Sequence, residues 1–358
     1  MVYNILSMLY LIGLGLSTIE DISVSGLDVI KKCDHIFIDA YTSVLTHGIE
    51  RISEFCGKQV KDADREFTEN ESNSMITLAK TANVAFLVVG DPLCATTHSD
   101  LIIRAIKEKI PYKVIHNAGI MTAVGCCGLQ LYRMGETVSI PLWNEYFHPE
   151  SFYLKIAANF VRGLHTLCLL DIKMKEKSVE ALLHDRDIYD PPRFMVCPEA
   201  GYQILETARR IRHRVVEYDE SDPEEFRELE PEVYLDPDCL VVCLARVGTP
   251  TQSIVVTTLQ ILGSSSPSEI GDSPEFSEAL GGPMHCMIFP GELHPMEKEF
   301  LTSRLLVGDE LEGLQTNCDG TSLPILLPPS KEGTSFKERV AAMFNRHEDI
   351  VKLTKKCR

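Results

Sequence analysis

The sequence predicts an α/β protein of two α/β domains. Three observations predict it. Apolar runs of four to six residues are continuous rather than alternating. Helix-period stretches separate them. The length, 358 residues, suits two domains at roughly 100–200 residues each. Continuous apolar strands spaced by helices imply a parallel sheet covered on both faces. Strands are denser in the second half, which implies a mixed sheet there.

Leu9-Tyr10-Leu11-Ile12-Gly13-Leu14-Gly15 reads as the first strand, ending in glycines. Residues 1–16 are apolar enough to pass for a signal peptide, but they lack a basic start and run straight into an acidic, helix-like stretch. A buried strand is the better reading. In residues 23–33, Val24, Leu27 and Ile30 recur at helical spacing. Ile36-Phe37-Ile38 is the next strand, and Val84-Ala85-Phe86-Leu87-Val88-Val89 another, closing at Gly90. Residues 98–109 are helical, with Leu101, Ile102, Ala105 and Ile106 on one face; residues 112–116 form a short strand. The second half continues with Val138-Ser139-Ile140, a strand over 166–170, a helix over 201–212, and strands over 240–245, 253–259 and 285–289.

Residues 218–238 are acidic and carry prolines; residues 263–282 are rich in Ser, Gly, Pro and Glu. Both read as insertions. Residues 308–333 are loop-like. A final helix over 335–355 sets Phe336, Val340, Phe344 and Val351 on one stripe, with Ser335 and Glu338 at capping-box spacing. It has an apolar face to bury, against the body or against a partner. The expected organisation is an N-terminal domain over 8–131, a C-terminal domain over 132–305, and an extension over 306–358.

Apolar residues make up 44% and charged residues 24%, the composition of a globular chain rather than a disordered one. The net charge of −17 argues against a grip on nucleic-acid phosphates. It suits a small-molecule enzyme or one that meets a basic protein. Twelve cysteines occur without a C-x-x-C, several of them inside apolar runs. That is the pattern of reduced, buried thiols in a cytoplasmic protein. Cys239 and Cys243 lack a second ligand pair, so no metal site is expected. No further run of about 18 apolar residues is present to span a membrane.

Four places carry chemistry. Gly13-Leu14-Gly15-Leu16-Ser17 lets the backbone turn sharply and approach a ligand. It lacks the third glycine of a dinucleotide fingerprint, so alone it is a tight turn. Gly90-Asp91-Pro92-Leu93-Cys94-Ala95-Thr96-Thr97-His98 follows a buried strand. A carboxylate at the carboxyl end of such a strand suits ribose hydroxyls or a sulfonium cation better than a phosphate. As a bare turn, Asp91 needs no ligand and Thr97 or Ser99 caps the next helix. His116-Asn117-Ala118-Gly119-Ile120 puts small residues after a strand, open to a flat ligand. Leu169-Leu170-Asp171-Ile172-Lys173 ends a strand in a triplet that surface salt bridging also explains.

Taken in order, these runs resemble the diphthine synthases. The similarity extends through Gly125-Cys126-Cys127-Gly128-Leu129-Gln130-Leu131-Tyr132, Gly135-Glu136-Thr137-Val138-Ser139-Ile140 and His165-Thr166-Leu167-Cys168-Leu169-Leu170-Asp171-Ile172-Lys173. Tyr189-Asp190-Pro191-Pro192-Arg193, Leu244-Ala245-Arg246-Val247-Gly248 and Leu293-His294-Pro295-Met296-Glu297 complete it. It runs over about residues 8–305, interrupted by the two insertions, and is closer to the eukaryotic branch than the archaeal one.

The resemblance implies two α/β domains of the tetrapyrrole methylase type with the cofactor cleft between them, usually as a homodimer. It implies a methyltransferase using S-adenosyl-L-methionine. The substrate it implies is the 3-amino-3-carboxypropyl-histidine of translation elongation factor 2, converted to diphthine and, in eukaryotes, to its methyl ester. Carried over residue by residue, the cofactor contacts implied are Leu16, Asp91, Cys94, Gly119, Ile120, Leu170, Val247 and His285. No catalytic residue is nominated. A methyl on a sulfonium is already activated, so positioning an amine suffices. His98, His116, Asp171 and Arg246 are candidates to touch the substrate arm, with structural support the leading role for each.

Three positions depart from the family pattern. Cys94 stands where glycine is usual, Gly119 where serine is usual, and Ser17 where some relatives have a glycine. Each change would weaken cofactor binding by on the order of 1 kcal/mol if backbone contacts persist. The alternative reading is therefore a weakly active or inactive cofactor-binding scaffold of the same fold.

Overall fold

The computed structural model describes residues 7–39, 48–63, 72–174, 189–216, 234–264, 280–310 and 333–356. The chain divides into two compact units. The first holds residues up to 123, together with Ile172–Arg193 and Val247–Thr249; the second holds Val124–Asp171, Phe194–Arg246 and Pro250–Arg358.

In the first unit, strands β1 (Leu9–Gly13), β2 (His35–Asp39), β3 (Val60–Ala63), β4 (Val84–Val88) and β5 (Tyr112–Ile115) form one sheet in the order β3-β2-β4-β1-β5. All neighbours are parallel, with Gly13 opposite Val88 and Ile12 opposite Ile115. Helices α1 (Val24–Ile30), α2 (Ile49–Cys56), α3 (Ser72–Leu78) and α4 (Ser99–Lys107) connect the strands.

Two separate cores show that the sheet is covered twice. Ile12, Ile36, Ile38, Ala85 and Leu87 pack with Ile30, Ile52 and Cys56. Leu9, Leu11, Phe37, Phe86 and Val88 pack with Met75, Ile76, Leu101 and Ala105. Alternate residues of one strand thus reach opposite cores, which is why the strands read as continuous apolar runs. The chain leaves β1 toward β2 on one side and leaves β4 toward β5 on the other. The carboxyl ends of β1 and β4 therefore mark the switch point at which open α/β sheets bind ligands. Ser23 caps α1 by accepting from the Gly26 N–H at 3.0 Å.

In the second unit, β6 (Val138–Ile140), β7 (Thr166–Leu170), β8 (Leu240–Ala245), β9 (Ser253–Thr258) and β10 (His285–Phe289) are ordered β9-β8-β10-β7-β6. Only β6 and β7 are parallel; the other pairs are antiparallel, so the sheet is mixed as the sequence predicts. Helices α6 (Ser151–Val161), α7 (Cys197–Val216) and the short α8 (Leu259–Leu262) pack one face; α9 (Pro295–Glu310) and α10 (Phe336–Lys356) follow. A single-turn helix α5 (Ile120–Ala123) closes the first unit.

Helix α7 begins four residues before the expected Gly201, with Pro198 in its first turn. Gly201 is a packing position: an added Cβ would lie 2.9 Å from the Leu262 side chain. Helix α10 docks on its own unit, burying Val340, Met343, Phe344, His347, Ile350 and Val351. Its capping box is formed, with the Ser335 N–H donating to Glu338 Oε2 at 2.9 Å and the Glu338 N–H to Ser335 Oγ at 3.3 Å. Most of the insertions over 218–238 and 263–282, and nearly all of the loop-like 308–333, lie outside the described residues. No described helix is long and apolar enough to cross a membrane. The described cysteines are unbridged, and most are buried.

Candidate functional site

The loops that follow β1, β4 and β5 are fastened to one another by backbone and amide groups. After β1, the glycine turn pairs with the turn after β4: the Gly90 N–H donates to the Gly15 carbonyl at 2.7 Å, and the Gly15 N–H to the Gly90 carbonyl at 3.3 Å. Gly15 and Gly90 both hold φ near +80° (83° and 81°), a region glycine reaches without strain. The turn is dense below. A Cβ on Gly13 would sit 2.6 Å from the Gly90 carbonyl oxygen and 2.8 Å from Asn117 Cβ. Gly90 is buried too but less tightly: a Cβ there would meet the Gly119 Cα at 3.8 Å and the Ala118 oxygen at 3.9 Å, ordinary contact distances.

Asp91 follows Gly90 directly. Its Oδ1 accepts from the Leu93 N–H at 2.9 Å, and its Oδ2 from the Asn117 N–H at 3.1 Å and from His116 Nδ1 at 2.8 Å. Burial acts to raise its pKa, but the Leu93, His116 and Asn117 hydrogen bonds outweigh that and hold the carboxyl below its usual range. An ionised carboxylate retains lone pairs beyond three accepted bonds. Asp91 is thus both a tie between loops and an acceptor.

Of the nominated positions, Asp91, Cys94, Gly119 and Ile120 come together at the β4 and β5 ends. Cys94 Sγ lies 2.9 Å from where a Gly119 Cβ would be, and Asp91 Cβ lies 3.3 Å from it. Burial pushes the Cys94 thiol pKa up. Val247 belongs to the same unit, and its neighbour Gly248 packs on Leu16: a Cβ on Gly248 would lie 2.9 Å from Leu16 Cβ. Leu170 and His285 belong to the second unit, at adjacent ends of the paired β7 and β10, where Cys286 lies opposite Leu169.

The His285 ring is occupied. The Cys197 N–H donates to Nδ1 at 3.3 Å, and Nε2 faces the Gly281 and Gly282 carbonyls at 3.2 and 3.0 Å. Burial acts to lower its pKa, but Cys197 and the two carbonyls outweigh that and leave it raised. What position 285 offers a ligand is backbone and ring surface rather than a free nitrogen.

The four side chains weighed for the substrate arm all have structural partners. His98 is buried against Asp39 and the Pro92 carbonyl. His116 is exposed but tied to Asp91. Asp171 Oδ2 accepts from the Leu142 N–H at 2.9 Å. Arg246 reaches the Thr251 carbonyl at 2.7 Å and also the Gly282 carbonyl.

Sequence reasoning placed Asn117 in a candidate run without giving it a role, and passed over Asp21. The Asn117 amide donates to the Gly13 and Asp21 carbonyls at 3.0 and 3.1 Å, and Asp21 Oδ2 accepts from the Ser17 N–H at 2.8 Å. A turn-forming Asn immediately after a strand was the available signal. Ser17 keeps a negative φ, so serine costs the turn nothing there. Among the described residues, no group of His, Cys, Asp or Glu is arranged to hold a metal ion.

Residues 8–210 match the family of tetrapyrrole (corrin/porphyrin) methylases. A diphthine methyl ester synthase from Mus musculus is 49% identical over 296 residues, which cover 82% of this chain and 95% of the mouse protein. One from Schizosaccharomyces pombe is 43% identical over 295 residues, covering 82% and 93%. Among solved structures, a diphthine synthase is 28% identical with a TM-score of 0.62, covering 83% of this chain and 95% of its own. A structure from Entamoeba histolytica is 38% identical with a TM-score of 0.64, covering 83% and 98%.

Proposed function

From a chain that belongs to the tetrapyrrole methylase family, alongside the diphthine methyl ester synthases, we propose an enzyme that uses S-adenosylmethionine to methylate the 3-amino-3-carboxypropyl-histidine of translation elongation factor 2, giving diphthine methyl ester. The chain is a methyltransferase of diphthamide biosynthesis. Donor, protein substrate, cytoplasmic location and homodimeric state belong to the proposal. So does the organisation into an N-terminal domain over 8–131, a C-terminal domain over 132–305 and an extension with a helix over 306–358.

The observation that carries the reading is the junction of three strand-end loops at Gly15, Gly90 and Asn117, with the ionised Asp91 among them. The carboxylate suits ribose hydroxyls or a cation. Leu16, Asp91, Cys94, Gly119, Ile120, Leu170, Val247 and His285 are the residues that would hold the donor. S-adenosylmethionine supplies a methyl already activated by the sulfonium charge. The chain's own work is placement: Asn117 and Asp91 keep the three loops in register. The acceptor amine attacks uncharged, and water takes its proton. An acidic enzyme also attracts a basic protein face, which raises the encounter rate.

The test is calorimetry with S-adenosylmethionine and S-adenosylhomocysteine, followed by mass spectrometry of precursor elongation factor 2 incubated with enzyme and donor. Binding together with mass gains of whole methyl groups supports the reading. Binding without transfer would favour the scaffold alternative, and no binding would overturn the donor assignment.

A further inference from the structure

Cys94 and Gly119 lie on different loops, yet they occupy one space. A Cβ built on Gly119 falls 2.9 Å from Cys94 Sγ and 3.0 Å from Cys94 Cβ, with Asp91 Cβ at 3.3 Å. Carbon atoms do not approach that closely without displacing a neighbour, and overpacking of this kind is destabilising. The neighbour cannot easily yield. Cys94 is fixed by a turn in which its N–H donates to the Asp91 carbonyl at 3.1 Å. The next residue, Ala95, holds φ at +56°, a left-handed conformation that few non-glycine residues adopt. On the other side, Gly119 begins the turn into α5, where its carbonyl accepts from the Thr122 and Ala123 N–H groups at 3.1 and 3.0 Å.

We propose that Cys94 and Gly119 act as one steric unit: the thiol at 94 forms the wall between the β4 and β5 loops, and the absence of a side chain at 119 is what admits it. The inference rests on the donor-site reading for its functional consequence, and on packing alone for the coupling. It makes Cys94 and Gly119 a matched exchange of volume rather than two separate losses. The wall it builds is sulfur, a weak hydrogen-bonding group, so the ligand meets it by surface contact. A side chain at 119 and the thiol at 94 cannot both hold the places seen here without a shift in one of the two loops.

Four proteins test this: the parent, C94G, G119S and the C94G/G119S double variant. Each is measured for thermal midpoint without ligand and for S-adenosylhomocysteine affinity. G119S alone should lower the midpoint and weaken binding about tenfold or more. The double variant should recover both, to within about threefold of the parent in affinity. Should G119S behave as the parent in both measurements, or the double variant be no better than G119S, the coupling is refuted. Recovery of the thermal midpoint with no S-adenosylhomocysteine binding in any of the four would leave the coupling standing and refute the donor-site reading instead.

Discussion

His98 Nε2 lies 3.3 Å from Asp39 Oδ2 inside the first unit, with both side chains almost wholly buried. The other ring nitrogen, Nδ1, is 3.0 Å from the Pro92 carbonyl. Both nitrogens face oxygen atoms. The pair joins the end of β2 to the loop that carries Asp91, and the ring meets Phe86 edge-on at 5.0 Å. Helix α4, starting at Ser99, thereby anchors the loop that precedes it.

Removing one partner of a buried pair takes away its contacts and leaves a cavity in its place. His98→Ala should therefore lower unfolding free energy by about 3–5 kcal/mol. His98→Gln, which retains one donor, should lose less. Urea denaturation of the two variants checks this; equal, small losses would show that the pair contributes little.

Asp91 makes two separable predictions. Asp91→Ala should raise the S-adenosylmethionine dissociation constant at least several-fold, about 1 kcal/mol or more, with calorimetry as the measurement. The carboxyl is held below its usual value of 3.8, so its hydrogen bonds to Leu93, His116 and Asn117 favour the folded state above that pH. That contribution is lost as pH falls below 3.8 toward the lower folded value. Asp91→Asn should flatten this acid limb in a pH series of urea midpoints.

What the sequence made legible follows from burial. Strands β1, β2, β4, β7, β8 and β10 are almost wholly buried and stand out as unbroken apolar runs. The edge strand β3 buries only Val60 and Ala63, with Lys61 and Asp62 exposed between them, and gives no such signal. Helix α6 buries residues on most of its circumference, including Phe152, Tyr153, Ile156, Ala157 and Phe160, so no polar face marks its period. The site divides the same way. Glycines after strands are visible as turn signals. The Asn117 crosslink to Gly13, the His98 contact with Asp39 and the shared volume of Cys94 and Gly119 join distant segments, and no local pattern encodes them.

The final helix presents a stripe whose destination only the structure reveals. Phe344 is fully buried, and α10 is also tied to its unit by Arg346 on Asp236 and Asp238 and by Lys298 on Glu348. Phe344→Ala removes a ring from a closed interior and should cost about 3–5 kcal/mol. The same loss in a denaturant titration is expected whether or not a binding partner is present, because the face is covered by the chain itself.

His347 on the same helix makes stability depend on pH. Its Nδ1 accepts from the Leu240 N–H at 3.2 Å, and its Nε2 donates to the Gly291 carbonyl at 2.9 Å, so the neutral ring is satisfied on both sides. The Gly291 N–H in turn donates to His165 Nδ1 at 3.0 Å, which leaves His165 Nε2 to donate to Glu297 Oε1 at 3.1 Å. Burial pushes the His347 pKa down from 6.5 to about 4, while the Gly291 carbonyl and Glu348 pull weakly the other way. Between those two values the unfolded chain binds a proton that the folded chain refuses, so stability falls as pH drops from 6.5 toward 4. The loss attributable to this ring reaches about 3 kcal/mol. His347→Gln can still accept from Leu240 and donate to Gly291 but cannot take up charge. Its urea midpoint should therefore fall less steeply than the parent's over that range, and parallel slopes in the two proteins would assign the acid sensitivity elsewhere.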